Sequence, residues 1–448
     1  MTRPDPTDPA LAPVAAAPVD AALGDGAPAA PGKCPVAPPT GLRRRAFLRG
    51  AGLTTALGAG ALAGAFAAGA DATTAPDPSG RTIPFHGPHQ AGITTPPQAA
   101  ASFVSFTVIA PDRAGLRQLL GVLTDRIGAL TAGGPVPATD LASPPTDSAT
   151  LGPVLPSDGL TVTVGVGASL FDGRFGLAGR KPARLVEMPA FPDDDLVGSK
   201  ELHGDLSLQI CADSRDTVMH ALRDITRHTR GLMQASWKVD GFHAAPRPSG
   251  TPRNQLGFKD GIANPDTGDA KVTDAVLWTH GGANGEPAWV EGGSYQVIRI
   301  IRMLVEFWDR VSLHEQETMI GRRRDSGAPL DGTVESDLPN YQADPQGLIV
   351  PMTAHIRLAN PRTADTADQL ILRRGYNYER GLDLDGNLDV GLVFCCYQQD
   401  VNRQFTAVQQ RLAGEPLVDY ISPTGGGYFF ALPGVKGPGD RFGSALLA

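Results

Sequence analysis

The sequence predicts an α+β fold in which two ferredoxin-like units pack as a pair, in a dimeric α+β barrel-type arrangement. Hydrophobic residues alternate with period two in several segments and recur at helical spacing in others. These segments follow a similar order in the two halves of the chain. We therefore divide the chain into an N-terminal extension, residues 1–70, a first unit, residues 71–240, and a second unit, residues 241–448.

The first unit reads as strand, helix, strand, strand, helix, strand, which is the ferredoxin-like order. Leucine and isoleucine recur at helical spacing from Leu116 to Leu130, and a second helix begins at Ser214. A Pro- and Gly-rich insertion near residues 132–158 separates the first helix from the second strand. The predicted strands are Phe103–Ile109, Leu160–Val166, Leu206–Ile210 and Leu232–Val239.

The second unit shows a similar series. Ser312 and Glu315 form a capping box for a helix that runs towards Arg322. The other predicted elements are a long strand Tyr295–Phe307, a strand Leu392–Tyr397, a helix from about Asn402 to Leu412 and a strand Tyr428–Leu432. The candidate functional residues also lie in this unit.

One stretch, Gly257 to Pro265, reads GFKDGIANP and places a single acid, Asp260, among glycines and turn-forming residues. Glycine lets the backbone approach a flat ligand closely. The surrounding connection, about residues 241–292, lacks clear helical or strand periodicity, and its aromatic residues argue against disorder. Asp260 is therefore a candidate functional acid, and the alternative is that it caps a turn.

A second cluster lies downstream, where His355 opens HIRLANPR and Arg373 and Arg374 lie in ILRRGYNY. An acid, an imidazole and an arginine are the groups that a haem peroxidase needs. The imidazole binds iron, the acid moves a proton between the peroxide oxygens, and the guanidinium stabilises negative charge as the O–O bond breaks. A structural role is the alternative for a single histidine. Chemistry alone does not select these residues from the many Asp and Arg in the chain.

Several segments resemble the dye-decolourising peroxidases, specifically the exported branch associated with bacterial iron uptake and called deferrochelatase/peroxidase. The resemblance covers almost everything from about Ile83 to the C-terminus, with the segments in the family's order. It is carried by GFKDGIANP, HIRLANPRT and LRRGYNY, and further by HQAGITTP, SLFDGRFGL, GDLSLQICAD, EPAWVEGGSYQ, VEFWDR and GGGYFFALPG.

The resemblance implies a role for individual residues. The family's catalytic acid falls on Asp260, its axial iron ligand on His355, and its distal arginine on Arg373 rather than on Arg374. The implied haem contacts are Gly261, Ile262 and Ala263 against the haem and Asn360, Pro361 and Arg362 along its edge, with Arg362 suited to pairing with a propionate. One departure is Gly375, where another branch has Asn, so a mechanism that needs that side chain cannot operate here.

By the resemblance, the chain is a haem b peroxidase with one iron protoporphyrin IX per chain. It reduces hydrogen peroxide and oxidises dyes, phenolic or porphyrin-type donors in one-electron steps. One alternative is a deferrochelatase, which releases iron from haem with the tetrapyrrole intact, and another is a haem carrier without turnover. His355 is required by all three, whereas Asp260 and Arg373 are needed only for rapid peroxide cleavage.

Neighbouring residues offer supporting roles. We expect the second ring nitrogen of His355 to donate to a carboxylate or carbonyl. Candidate carboxylates are Asp365, Asp368 and Asp400. Candidate electron relays are Trp308, Tyr376 and Tyr378, and Phe394 is a candidate for packing over the haem, with core packing as the alternative for each.

The N-terminus carries a pattern typical of export. Three arginines at 43–45 precede Ala, Phe, Leu and Arg and then a weakly apolar run, Gly50 to Ala70, that is rich in Ala and Gly. This favours a twin-arginine signal peptide over a membrane anchor or a buried helix. Residues 68–70, Ala-Gly-Ala, fit a cleavage site, so the mature chain begins near Asp71 in an extracytoplasmic or periplasmic location. The Pro-, Ala- and Asp-rich residues before the arginines predict a disordered extension.

The composition of the chain argues against some classes of binding partner. The whole chain has 39 basic and 47 acidic residues, and without residues 1–70 it keeps 33 and 43, a net charge of −10. This disfavours nucleic acid or an anionic membrane. Beyond Cys34, the cysteines at 211, 395 and 396 indicate buried strand packing rather than a disulfide framework or zinc site. By the resemblance, the expected partners are hydrogen peroxide, an organic donor, an iron-uptake system and a second copy of the chain. The N-terminal pattern adds the twin-arginine machinery.

Replacement of Arg44 and Arg45 by Lys should leave folded, haem-loaded protein in the cytoplasm, because the export machinery would no longer recognise the signal. Cell fractionation followed by the haem absorption of each fraction measures this. Arg3→Lys serves as the control. Unchanged export of the double variant would refute the route.

Overall fold

In a computed structural model of the protein, which describes residues 80–448, the chain folds around one antiparallel sheet of nine strands. A separate two-stranded pair, β2 and β3, lies in the predicted insertion. The strands are β1 Ala100–Val108, β2 Gly134–Pro135, β3 Val154–Leu155, β4 Thr161–Gly167, β5 Leu206–Ala212, β6 Met233–Phe242, β7 Ser294–Met303, β8 Leu372–Arg373, β9 Tyr376–Leu382, β10 Leu388–Gln398 and β11 Ile421–Ala431. The predicted twin-arginine signal, residues 1–70, lies outside the described residues.

The described helices are short apart from two. The α-helices are α1 Arg113–Ala132, α2 Arg215–His228, α3 Ala270–Val276, α4 Val305–Trp308, α5 Leu313–Ile320, α6 His355–Ala359 and α7 Ala407–Leu412. Residues Asn402–Thr406 form a π-helix that runs into α7. The 3₁₀ helices are Ala168–Phe171, Gly173–Phe175, Ala178–Arg180, Ala283–Gly285, Ala288–Val290, Ala364–Thr366 and Pro416–Tyr420. None of the helices in residues 80–448 is both long and apolar enough to span a bilayer.

The sheet closes on itself. Its order is β7-β11-β4-β5-β1-β6-β9-β10, and β10 pairs again with β7, while β8 pairs with β10 at the margin. The first unit supplies β6-β1-β5-β4 and the second β9-β10-β7-β11, so each unit has the ferredoxin-like strand arrangement. The units join where Phe429 pairs with Gly167 and Phe242 with Asn377. The predicted fold class is confirmed, and the boundaries at residues 70 and 240 stay predictions.

The two faces of the sheet bury different sets of residues. The leucine stripe of α1, Leu116 to Leu130, packs with Val104 on one face of β1. The neighbouring Phe103 points to the other face, because side chains alternate along a strand, and packs inside the closed sheet with aromatic residues such as Trp237 and Tyr376. Cys211, Cys395 and Cys396 are buried in strands with free thiols, in keeping with the expected strand packing.

The second unit departs from its predicted elements near β7. The predicted strand Tyr295–Phe307 ends at Met303, because the chain turns at Leu304 into α4. The Trp308 indole then donates to the carbonyl of Leu256 at 3.0 Å, which anchors the turn. The capping box predicted for the next helix is present, and that helix ends at Ile320.

Two strands of the second unit, β9 and β11, differ from the strands that the hydrophobic pattern predicts. β9 has no counterpart in the prediction, and β11 begins at Ile421 rather than at Tyr428. The glycines at 425–427 interrupt the apolar alternation that marks a strand. They are needed there, because a Cβ on Gly426 would lie 2.0 Å from the carbonyl oxygen of Ile298 on β7.

Candidate active site

The second unit encloses a cavity of about 250 Å³ between the outer face of its strands and the segments that carry α6 and α7. Its lining residues lie between positions 254 and 423, within the predicted second unit. The apolar part of the wall includes Leu256, Phe258, Ile262, Ile320, Leu392, Phe394, Phe405 and Leu417. A mostly apolar cavity with a few polar groups suits a bulky organic ligand.

His355 is the first residue of α6 and lines this cavity. Its Nδ1 lies 2.9 Å from each carboxylate oxygen of Glu415, a residue that is only 4% exposed. Burial lowers the pKa of His355, but the charge of Glu415 and its hydrogen bond outweigh that effect, so the pKa lies above its ordinary value. Because Nδ1–H donates to Glu415, Nε2 is the ring nitrogen left to bind a metal.

Glu415 takes the place that the sequence analysis gave to Asp365, Asp368 and Asp400. Asp368 and Asp400 face arginines elsewhere, and Asp365 lies in an exposed 3₁₀ turn. Glu415 reaches His355 because α7 packs against α6. Arg411 fixes this packing by donating to the carbonyls of Leu358 and Ala359 at 3.0 and 3.1 Å.

Asp260 and Arg373 form an ion pair at the cavity wall, with 2.8 Å between the Asp260 Oδ1 and an Arg373 guanidinium nitrogen. Both side chains are about a quarter exposed. Gly261 has a φ of +100°, a conformation that other residues rarely adopt, and so permits the turn that follows Asp260. The pair thus presents a carboxylate and a guanidinium to the cavity that His355 also lines.

Asn264, which sequence analysis did not single out, ties these two segments together. Its amide donates to the Arg373 carbonyl at 2.8 Å and accepts from the Arg373 backbone N–H at 3.0 Å. Arg374 points the other way, is 3% exposed and donates to the carbonyl of Thr95 and to the side chain of Gln98. The structure therefore separates the two adjacent arginines, and only Arg373 lines the cavity.

Of the remaining predicted haem contacts, four line the cavity: Ile262, Ala263, Asn360 and Arg362. Gly261 and Pro361 are chain neighbours of lining residues and do not line it themselves. Phe394 lies in the wall. The roles of these residues stay predictions.

One part of the wall carries positive charge without a matching carboxylate. Among the described residues, neither Arg322 nor Arg362 forms an ion pair, and both line the cavity. The Tyr341 hydroxyl beside them is buried and has no hydrogen-bond partner. Burial raises the pKa of Tyr341 to about 12, so the hydroxyl keeps its proton and can donate. Two cations and a free donor suit an anionic edge such as haem propionates, and with the imidazole of His355 the residues fit haem.

The candidate relay residues are buried. Trp308 packs edge-on against Phe258, whose side chain forms part of the cavity wall. Tyr376 and Tyr378 lie inside the closed sheet, with no measurable exposure. Their part in electron transfer stays a prediction.

Comparison with known proteins identifies the same family over both units. The description "Dyp-type peroxidase, N-terminal" matches residues 90–243, and "Dyp-type peroxidase, C-terminal" matches residues 251–436. A curated protein of Yersinia pestis named Deferrochelatase is 50% identical over 414 residues, which cover 90% of this chain and 94% of that protein.

Solved structures of the same kind share the fold. A DyP-type peroxidase from Cellulomonas bogoriensis has a TM-score of 0.73 and 38% identity, covering 83% of this chain and 99% of that one. Ferric DtpA from Streptomyces lividans has a TM-score of 0.73 and 36% identity, covering 82% and 97%.

His355→Ala should weaken haem retention and largely abolish peroxide turnover, because His355 is the only histidine among the described residues that line the cavity. The haem content and absorption spectrum of the purified variant measure the effect. His314→Ala, at an exposed position on α5, is the matched control. Full haem occupancy with the parent spectrum in His355→Ala would show that another residue is the ligand.

Proposed function

Because this chain belongs to the Dyp-type peroxidase family, we propose that it binds one haem b and reduces hydrogen peroxide while oxidising an organic donor. One observation carries the proposal: the Asp260–Arg373 ion pair and the carboxylate-backed imidazole of His355 line the same cavity. A haem carrier has no evident use for the ion pair, whereas peroxide cleavage needs both of its members.

In this proposal, His355 holds the cofactor through Nε2, and Glu415 keeps the Nδ1 proton and the ring orientation fixed. Arg322, Arg362 and Tyr341 would receive the propionates. Haem, when bound, supplies the iron that exchanges electrons with peroxide and with the donor. The apolar wall around it limits the access of water.

Asp260 and Arg373 act on the bound peroxide. The Asp260 carboxylate takes a proton from one peroxide oxygen and gives it to the other, which then leaves as water. Arg373 stabilises the negative charge that develops as the O–O bond breaks, because its guanidinium stays protonated throughout. The complete reaction converts one hydrogen peroxide to two waters, with two protons and with one electron from each of two donor molecules.

A second candidate activity is the release of iron from haem with the tetrapyrrole intact. It is favoured by the 50% identity to curated deferrochelatases over 90% of the chain. Two assays on the same haem-loaded protein separate the candidates. Peroxide-driven dye oxidation reports peroxidase activity, and the fluorescence of metal-free porphyrin reports iron release. Absence of both would leave only a haem carrier.

The proposed setting is the cell envelope, reached through twin-arginine export. It is supported by the arginine pattern at residues 43–49 and the Ala-Gly-Ala at residues 68–70. Export of folded protein allows the cofactor to be acquired before the membrane is crossed. Hydrogen peroxide and a one-electron donor are the partners that this function requires.

Arg373→Leu should slow the reaction with hydrogen peroxide at every pH while haem binding is retained, because a permanently charged group is lost from the cavity. Removing a comparable charge-stabilising donor costs roughly a hundred- to a thousand-fold in rate. Stopped-flow mixing with peroxide measures the rate. Arg230→Leu, at an exposed position, is the control, and a near-parent rate in Arg373→Leu would defeat the assignment.

Asp260→Asn keeps the size of the side chain and removes proton transfer, so it should lower the rate by about a hundred- to ten-thousand-fold and change its dependence on pH. Rates measured across pH for the variant, the parent and the exposed control Asp385→Asn test this. An unmoved pH profile in Asp260→Asn would contradict it.

A further inference from the structure

A short acidic segment of the first unit, residues 191–195, reads FPDDD and touches the second unit at three points. Asp193 Oδ2 accepts from the Gly414 backbone N–H at 3.0 Å. The Asp194 carboxylate pairs with Arg299. The Asp195 backbone N–H donates to the Pro423 carbonyl at 2.9 Å. The segment thus reaches from one unit to the cavity of the other.

The first contact fixes the turn that delivers Glu415. Gly414 lies between α7 and the 3₁₀ helix Pro416–Tyr420 and has a φ of +71°, which favours glycine. Its N–H is held by Asp193, and the next N–H, that of Glu415, donates to the Leu412 carbonyl at 3.1 Å. Asp193 therefore anchors the residue immediately before Glu415, whose carboxylate orients His355.

The second contact supports the cavity wall itself. Arg299 lies on β7 and lines the cavity, and its side chain and that of Asp194 are 2% and 1% exposed. The guanidinium also lies 5.2 Å from the ring of Phe191, which packs edge-on against Phe405 in the same wall. A buried charge needs such a partner, because desolvation of an unpaired ion is costly.

We propose that Asp193 and Asp194 are positioning residues. Asp193 clamps the Glu415 turn and thereby holds the His355 imidazole in the orientation needed to bind iron, and Asp194 holds Arg299 in the cavity wall. The inference rests on the proposed function, because it requires haem on His355. It assigns to the first unit a part in the site, although every residue that lines the cavity belongs to the second.

The chain offers a matched control for this idea. Asp195 is the third consecutive aspartate, but it is exposed and contributes only a backbone contact. Asp194→Ala would leave Arg299 buried and unpaired and can prevent folding. Asp193→Ala is therefore the deciding variant, since it removes one exposed hydrogen bond and leaves the buried ion pair in place.

The test uses full-length, haem-loaded protein reduced to the ferrous state. Resonance Raman spectroscopy measures the iron–histidine stretching frequency, which follows the basicity of the imidazole and hence the hydrogen bond at Nδ1. Glu415→Gln is the reference variant, because it weakens the hydrogen bond at Nδ1 directly and should shift the iron–histidine stretch to lower frequency. Asp193→Ala should shift in the same direction by a smaller amount, while Asp195→Ala keeps the parent frequency and both variants have similar thermal stability.

Two results would contradict the proposal that Asp193 positions the ligand. A parent frequency in Asp193→Ala, together with a normal shift in Glu415→Gln, shows that Asp193 does not position the ligand and leaves the proposed function intact. A parent spectrum in His355→Ala shows that haem is held elsewhere and overturns the proposed function and the clamp together.

Discussion

The hydrogen bond between His355 and Glu415 is the interaction on which the site depends. A buried carboxylate is stable only when it is paired, and here both of its oxygens lie 2.9 Å from one ring nitrogen. The bond leaves Nε2 as the ring nitrogen available to a metal and makes the imidazole more electron-rich. A weaker or rotated partner would change the electronic properties of any metal on Nε2 without altering the rest of the cavity.

The closed sheet explains how two similar units acquire different tasks. Both have the same strand arrangement, but α1 and α2 cover the outer face of the first unit with a dense apolar layer. On the second unit, the segments that replace this layer are irregular and short-helical, which leaves room for a cavity. Irregular segments expose backbone and side chains that a regular helix would bury, so the unit with less regular structure carries the candidate site.

The sequence predicted the elements whose hydrophobic periodicity is strong. It did not predict the elements whose periodicity is weak. The leucine stripe of α1 and the capping box of α5 appear as expected, because each is a local pattern. The glycines of β11 have no hydrophobic alternation, although the close approach of β7 requires them. Strand β9 was missed because its aromatic alternation is limited to Tyr376 and Tyr378 and is followed by exposed charged residues and a glycine.

The candidate site, too, could be predicted only where the sequence carries a local pattern or a family resemblance. Asp260 and Arg373 are 113 residues apart, and only the resemblance to a known family joined them before the fold brought them to 2.8 Å. Glu415 was missed because its contact with His355 follows from the packing of α7 on α6, for which the sequence has no local signal. Asn264 lies inside the GFKDGIANP stretch, four residues after the acid, but its amide meets the backbone of Arg373, 109 residues away, and no local pattern indicates that contact.

Titration of haem into the purified, folded protein, followed by addition of hydrogen peroxide, tests the central claim most directly. The account predicts saturation at one haem per chain, an absorption spectrum that changes when peroxide is added, and return of the original spectrum as an organic donor is oxidised. Folded protein that gives no haem absorption band after haem is supplied, or a haem band that peroxide leaves unchanged, would contradict it.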